Sequence, residues 1–302
     1  MERLTDAPFA DPLAGRLFPV LATGVQWGLG RTEQALAELG DPHRAYRTLH
    51  VGGTNGKGSV SATVGSVMRV AGRRTGVYTS PHLCSIRERM LVDGAAIDQD
   101  RLIGYAEEAT APIADNELSF FEAVTVLAMY AFAKEGVEVG VMEVGLGGRL
   151  DSTNVIHPEV TAITNVAMDH ADYLGNTLEA IAREKAGILK AGVPFVTAEA
   201  SPSILALLRE RAASVDAPFF HVEKDEIRDV SVTREATHLG VSTGCWGDLA
   251  LTTPLVGHHQ AVNAALAVAM LERLGDGLRP ERAHLIAVSY THLRAHETKT
   301  RI

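Results

Sequence analysis

The chain has 302 residues, 46% hydrophobic and 22% charged, with a formal net charge of −9 at pH 7. This is ordinary globular composition, enough for one large or two modest domains, and the acidic balance without a basic stripe argues against a nucleic-acid partner. Cys84 and Cys245 lie far apart in no metal-ligand spacing, which fits a reducing cytoplasm and argues against a disulfide framework.

Met1 to Ala10 has acidic residues and no apolar run, and no stretch is long enough to span a bilayer. The expectation is a cytoplasmic protein with no membrane partner. Arg31 to Leu39 reads as a short amphipathic helix, stopped by Gly40-Asp41-Pro42. Tyr46 to Val51 reads as a strand and Val60 to Ala71 as a helix. Between them runs His50-Val51-Gly52-Gly53-Thr54-Asn55-Gly56-Lys57-Gly58-Ser59. Strand, glycine-rich turn and helix are what a phosphate cradle needs. Glycines let backbone N–H groups approach anionic oxygens, the helix start adds its positive dipole end, and Lys57 supplies a mobile cation. The common P-loop pattern fits imperfectly. Gly58 follows Lys57 directly, the hydroxyl comes one place later at Ser59, and Val51 stands where the first glycine belongs. A plain glycine turn is the bland alternative, but it leaves a lysine flanked by glycines unexplained.

Thr75 to Thr79 reads as a second strand. Ser80 to Asp98 has much charge and few helix signals, and reads as a long, partly ordered loop with a hairpin at Asp93-Gly94. Asp98 and Asp100 open a helix near Arg101 to Thr110, and Phe120 to Lys134 is apolar at helical spacing. Val137 to Val144 and Val160 to Thr164 are buried-strand runs. Thr177 caps a helix reaching about Gly187, Pro194 to Thr197 is a strand, and Ser201 to Ser214 a helix. Alternating strands and helices predict a doubly wound, mostly parallel α/β sheet. Ile227 to Leu251 suggests a small antiparallel patch, and His258 to Leu274 a final helix. Residues 1–287 are expected to form the domain. Residues 288–302 are basic, lack an apolar face, and read as a foreign tail.

A nucleotide site needs a metal with hard oxygen ligands. Glu143 ends an apolar strand, where a parallel sheet binds ligands, and Gly145, Gly147 and Gly148 follow at once. A strand-end salt bridge is the competing role. Asp169-His170 follows another strand; a histidine there can be a metal ligand, a proton shuttle or a hydrogen-bonded loop residue. Lys185 lies near a helix end, where spacing alone favours a cation satisfying the helix dipole.

Jointly, several motifs resemble the folylpolyglutamate synthase/dihydrofolate synthase family, the folate branch of the Mur ligases. They are residues 50–59, Tyr78-Thr79-Ser80-Pro81-His82-Leu83, Arg87-Glu88-Arg89, Phe120-Phe121-Glu122, the run Glu143 to Asp151, Asp169-His170 and Glu184-Lys185-Ala186-Gly187. The resemblance covers roughly residues 24–287. It implies a central ATP-binding domain with a P-loop. Gly53, Thr54, Asn55, Gly56, Lys57, Gly58 and Ser59 would hold the phosphates of ATP. Gln260 and Asn263 would lie near the adenine. Ser80 and Glu143 would bind a first magnesium ion, and His170, with Lys185 as a carbamate, a second. Ser80, His82, Phe120, Phe121 and Asp151 would contact the acyl substrate; core packing is the alternative for the phenylalanines. Lys57, Glu143, His170 and Lys185 form the implied catalytic set.

Departures are Ser152 in place of the usual alanine, Ser119 in place of threonine, and no Trp-Pro-Gly-Arg after the last helix. The smaller C-terminal Rossmann-like domain is also missing, so the chain is expected to look truncated and to be a poor ligase. The implied reaction adds L-glutamate to dihydropteroate or to the glutamate tail of a folate through an acyl phosphate, in a monomer using ATP and Mg2+. Alternatives are a cell-wall Mur-type ligase, a P-loop phosphotransferase and a nucleotide-binding fragment without catalysis.

Overall fold

The computed structural model describes residues 11–18, 21 and 27–288. Helix α1 (Pro12–Leu17) is capped by Asp11, whose carboxylate accepts from the N–H of Leu13 at 2.9 Å and of Ile86 at 2.6 Å. Helix α2 (Gly30–Glu38) leads to strand β1 (Arg47–Gly52) and helix α3 (Lys57–Val70). Strand β2 (Thr75–Tyr78) pairs antiparallel with β3 (Met90–Val92), which pairs with β4 (Ala95–Ala96). Helices α4 (Gln99–Asp115) and α5 (Phe120–Lys134) precede β5 (Val139–Glu143). Strand β6 (Val160–Ile163), helices α6 (Ala171–Leu174) and α7 (Leu178–Lys185), strand β7 (Phe195–Thr197), helix α8 (Pro202–Ser214) and strand β8 (Phe219–His221) follow. A meander of β9 (Ile227–Val232), β10 (Thr237–Thr243) and β11 (Gly247–Thr253), then α9 (His258–Glu272) and α10 (Arg282–Val288), ends the described chain.

The main sheet has the order β4-β3-β2-β5-β1-β6-β7-β8, parallel from β2 to β8. Strand residues alternate between its faces. Leu49, Val51, Val139 and Val141 point into a core under α3, α9 and the meander; Tyr78 and Met142 point into a core with α1, α2, α4 and α5. A third core packs α7 and α8 on the β6–β7 side. Leu127, Met129 and Phe132 of α5 are fully buried, each worth roughly 1.5–3 kcal/mol. That burial, more than helix propensity, holds the aromatic and β-branched positions of α5 in a helix.

Three expectations change. Ser80 to Asp98 is built rather than loose. Its charge works inward: the Glu88 carboxylate accepts from the N–H groups of Leu83 at 2.8 Å and of Cys84 and Ser85 at 3.0 Å, capping a 3-10 turn over Ile86–Arg89. The hairpin at Asp93-Gly94 is present, with φ of 50° and 80°. Strand β8 lacks a clear strand signal because it is a short, half-exposed edge. Val288, grouped with the tail, ends α10 and is buried in the core. The rest of that tail lies outside the described residues.

Candidate active site

Strand β1 lies between β5 and β6, so the chain leaves their carboxyl ends in opposite directions around one crevice. The glycine turn fills it. Gly53 has φ of +133° and Gly56 of +85°, a region that side chains rarely adopt. A Cβ on Gly53 would lie 1.9 Å from Thr164 Oγ1, and one on Gly56 2.4 Å from Asn263 Oδ1. The turn is thus wedged between the end of β6 and helix α9.

Asn165, which sequence reading passed over, stitches the turn in place. Thr54 N donates to Asn165 O at 2.9 Å, Asn55 N donates to Asn165 Oδ1 at 3.1 Å, and Asn165 Nδ2 donates to Asn55 O at 3.4 Å. Thr54 Oγ1 accepts from Ala167 N at 3.1 Å. An asparagine after a strand has no periodic or spacing signal that would have marked it.

Two lysines converge here. Lys57 Nζ donates to the carbonyls of Gly53 at 3.2 Å and Thr54 at 3.1 Å. Lys185 Nζ donates to the same Gly53 carbonyl at 2.9 Å. Lys185 is 3% exposed, and its pKa falls to about 8, first through burial and then through the charge of Lys57, against the pull of Asp169 and Asp151. The helix-end role that spacing favours is therefore corrected. Lys185 closes α7, but its amine points into the crevice. Ser59 is buried in the first turn of α3, and Gly58 follows Lys57 there.

Glu143 ends β5 opposite Val51 and is 4% exposed. Ser80 follows β2 in a cis Ser80–Pro81 peptide. His170, with φ of +48°, lies past β6, its Nε2 at 3.5 Å from Asp169 Oδ1. Among the described residues no group of three or more His, Cys, Asp or Glu is placed to hold a metal.

Other expected substrate residues have internal partners. His82 Nδ1 accepts from Arg89 Nε at 2.7 Å, and the buried Arg89 guanidinium sits 5.6 Å from the Phe120 ring centroid. Phe120 packs edge-on against Phe18 at 5.9 Å, and Phe121 lies 6.4 Å from Tyr78. Asp151 accepts from Gly145 N at 3.0 Å, Leu146 N at 2.8 Å, Thr153 N at 3.0 Å and Thr153 Oγ1 at 2.5 Å. Burial raises its pKa against these donors. Its carboxylate thus shapes the glycine loop after β5. Buried Gln260 accepts from Asn263 Nδ2 at 3.0 Å, presenting α9 to the turn.

A glycine turn between a parallel strand and a helix, at the switch point of a doubly wound sheet and served by two lysines, defines a phosphate-cradling α/β domain. Residues 51–271 match the Mur ligase middle domain, and the chain belongs to that family, in its folylpolyglutamate synthase/dihydrofolate synthase branch. It is 39% identical to the dihydrofolate synthase/folylpolyglutamate synthase of Bacillus subtilis (strain 168) over 269 residues, 84% of this chain and 61% of that protein. It resembles the folylpolyglutamate synthase crystal structure from Thermotoga maritima, with a TM-score of 0.81 and 34% identity over 89% of this chain and 63% of that one. A structure described as an FPGS-AMPPCP-folate complex matches with a TM-score of 0.84 and 29% identity, over 93% and 72% of the two chains. The chain thus spans 61% of the length of that curated relative. Among the described residues no helix is long and apolar enough to cross a membrane.

Proposed function

We propose that this chain is the nucleotide-binding part of an ATP-dependent ligase that joins L-glutamate to dihydropteroate or to the glutamate tail of a folate. The observation that carries the reading is the convergence of Lys57 and Lys185 on the Gly53 carbonyl, beside the strand that ends in Glu143.

In this reading, Lys57 leaves the Gly53 and Thr54 carbonyls for the β- and γ-phosphates of ATP, and the amides of Gly53 to Ser59 cradle them. Asn165 keeps the turn in shape. Gln260 and Asn263 face the adenine side. The γ-phosphoryl group passes to a substrate carboxylate, ADP leaves, and the amine of L-glutamate displaces phosphate from the acyl phosphate to form the amide. Positioning and charge stabilisation carry most of such a transfer.

The donor set fits hard divalent cations. Glu143 is a buried strand-end carboxylate, and Ser80 supplies a hydroxyl. Lys185, its pKa lowered to about 8, carries a larger neutral fraction near neutral pH than an ordinary lysine, and an amine that takes up carbon dioxide becomes a carbamate with two hard oxygens. Ser80 and Glu143 would hold one magnesium ion, and His170 with a carbamylated Lys185 a second. The metals would neutralise charge at the transferring phosphoryl group. His82, Phe120 and Phe121 would reach the acyl substrate only at its edge, given their internal contacts.

ADP release measured with dihydropteroate, with a folate, and with neither, each with L-glutamate and Mg2+, tests the reading. Release that depends on the acyl substrate supports it. Equal release in all three arms overturns it.

A further inference from the structure

Glu199 lies just beyond β7 and is 4% exposed. A charge so deeply buried is unfavourable unless hydrogen bonds replace its water, and both of its oxygens are taken. Oε2 accepts from Val166 N at 2.7 Å, and Oε1 accepts from Ser201 N at 2.7 Å. Ser201 opens α8 and makes no side-chain cap of its own, so the carboxylate also meets the positive end of that helix. The backbone of Glu199 is held as well. Its N–H donates to Thr197 Oγ1 at 3.2 Å, and its carbonyl accepts from His221 Nε2 at 3.0 Å. Thr197 Oγ1 donates in turn to Ile163 O at 2.8 Å, across the paired ends of β6 and β7. The carboxylate is thus fixed from β7, β8 and α8 before it reaches the chain beyond β6.

What it reaches there is the clasp of the glycine turn. Val166 stands between Asn165 and Ala167. Asn165 bonds Thr54 and Asn55 through its carbonyl and side chain. Ala167 bonds Thr54 Oγ1 twice, its N–H donating at 3.1 Å and its carbonyl accepting at 3.3 Å. All of these contacts depend on where the backbone at Val166 sits, and Val166 N turns the other way, to Glu199. A short stretch held on one side can still rotate its peptide planes. Held on both sides, it keeps one conformation. The same stretch runs on through Met168 to Asp169 and His170.

We propose that Glu199 is a positioning residue of the nucleotide site, acting through Val166 to hold Asn165 and Ala167 on the glycine turn so that its amides face the phosphates. In this role it contacts neither nucleotide nor metal. The proposal rests on the nucleotide-binding reading above, and extends it to a residue outside the motifs that carry the family resemblance. The competing role is stability alone, a buried carboxylate that closes the start of α8 and does nothing for the turn.

The test is calorimetric titration of AMPPCP with Mg2+, run well below the thermal midpoint of each variant. Glu199→Gln keeps the shape of the side chain, but its amide offers one acceptor to two N–H donors. It should weaken AMPPCP about tenfold, the scale of one lost hydrogen bond. Joined to Asn165→Ala, it should add less than about twofold to the loss that Asn165→Ala causes alone, because the clasp through which Glu199 acts is already gone. Phe132→Leu, in the separate core beneath α5, should lower the thermal midpoint and leave AMPPCP affinity at the wild-type value. A Glu199→Gln chain of lowered midpoint and wild-type AMPPCP affinity overturns the proposal and leaves the nucleotide reading standing. Losses that multiply in full in the double variant also overturn it, since Glu199 would then act by another route. So does a Phe132→Leu chain that loses AMPPCP affinity to the same degree, since any drop in stability would then suffice. A wild-type chain that binds no AMPPCP overturns this proposal and the nucleotide reading together.

Discussion

Lys57 and Lys185 donate to one carbonyl oxygen, that of Gly53, at 3.2 and 2.9 Å. Burial first, and the charge of the neighbouring Lys57 second, lower the pKa of Lys185 to about 8. The two lysines differ in burial and in what they are expected to bind, so each is a separate experiment.

Lys57→Ala should lower ATP affinity by about 1.5–3 kcal/mol, the scale of a hydrogen bond to a charged group. Stability should change by less than about 0.5 kcal/mol, because the lysine is only part-buried and sits on a loop-facing surface. Calorimetric titration on folded protein checks the first, urea unfolding the second. Unchanged affinity would remove Lys57 from the phosphate site.

Lys185 is expected to be carbamylated near neutral pH in the presence of bicarbonate and Mg2+. A crystal grown under those conditions should show density beyond Nζ. Activity lost in Lys185→Ala should return in part with short carboxylates. A bare ammonium still bound to Gly53 O would return Lys185 to a purely structural role.

Gly53→Ala meets two obstacles at once: φ of +133° and a Cβ placed 1.9 Å from Thr164 Oγ1 and 2.9 Å from Thr164 N. The expected cost is roughly 2–5 kcal/mol, from strain and overpacking. Adding Thr164→Ala should recover only part of it, since the backbone clash and the dihedral remain. Full recovery in urea unfolding would show that φ carries no cost.

His50 lies fully buried against Thr153 Oγ1 at 2.9 Å, and its pKa falls to about 3, through burial first and the Lys190 charge second. Between about pH 6.5 and 3 the unfolded chain binds a proton that the folded chain refuses. This group's contribution is therefore complete above the unfolded value and is lost as pH falls through that window. His50→Gln should flatten the acid limb of the stability profile, measured by urea unfolding at several pH values. An unchanged limb would show that other groups govern it.

Much of the domain was legible in one dimension. The alternation of strand and helix, the glycine turn after β1, the bounds of α5 and the antiparallel meander all follow from period and punctuation, which are local properties. Glu143 was legible as well, because an acidic residue closing an apolar strand is a local anomaly. Tertiary structure decided what those local signals cannot carry. Lys185 reads as a helix-end cation until the fold brings it to Gly53, 132 positions away. Asn165 reads as an ordinary loop residue until β6 is laid beside β1 and its amide clasps Asn55. Asp151 and His82 look free for a ligand in sequence, yet their polar atoms are drawn to neighbouring backbone and to Arg89. Trp27 meets Tyr173 only because α2 is pinned to α5 while α6 leaves β6 on the other side. The amino-acid order determined the elements and the chemistry available at their ends. The insertion of β5 beside β1 and the seating of β6 on its other edge decided which ends meet, because that pairing depends on how whole faces pack and not on any local run of residues.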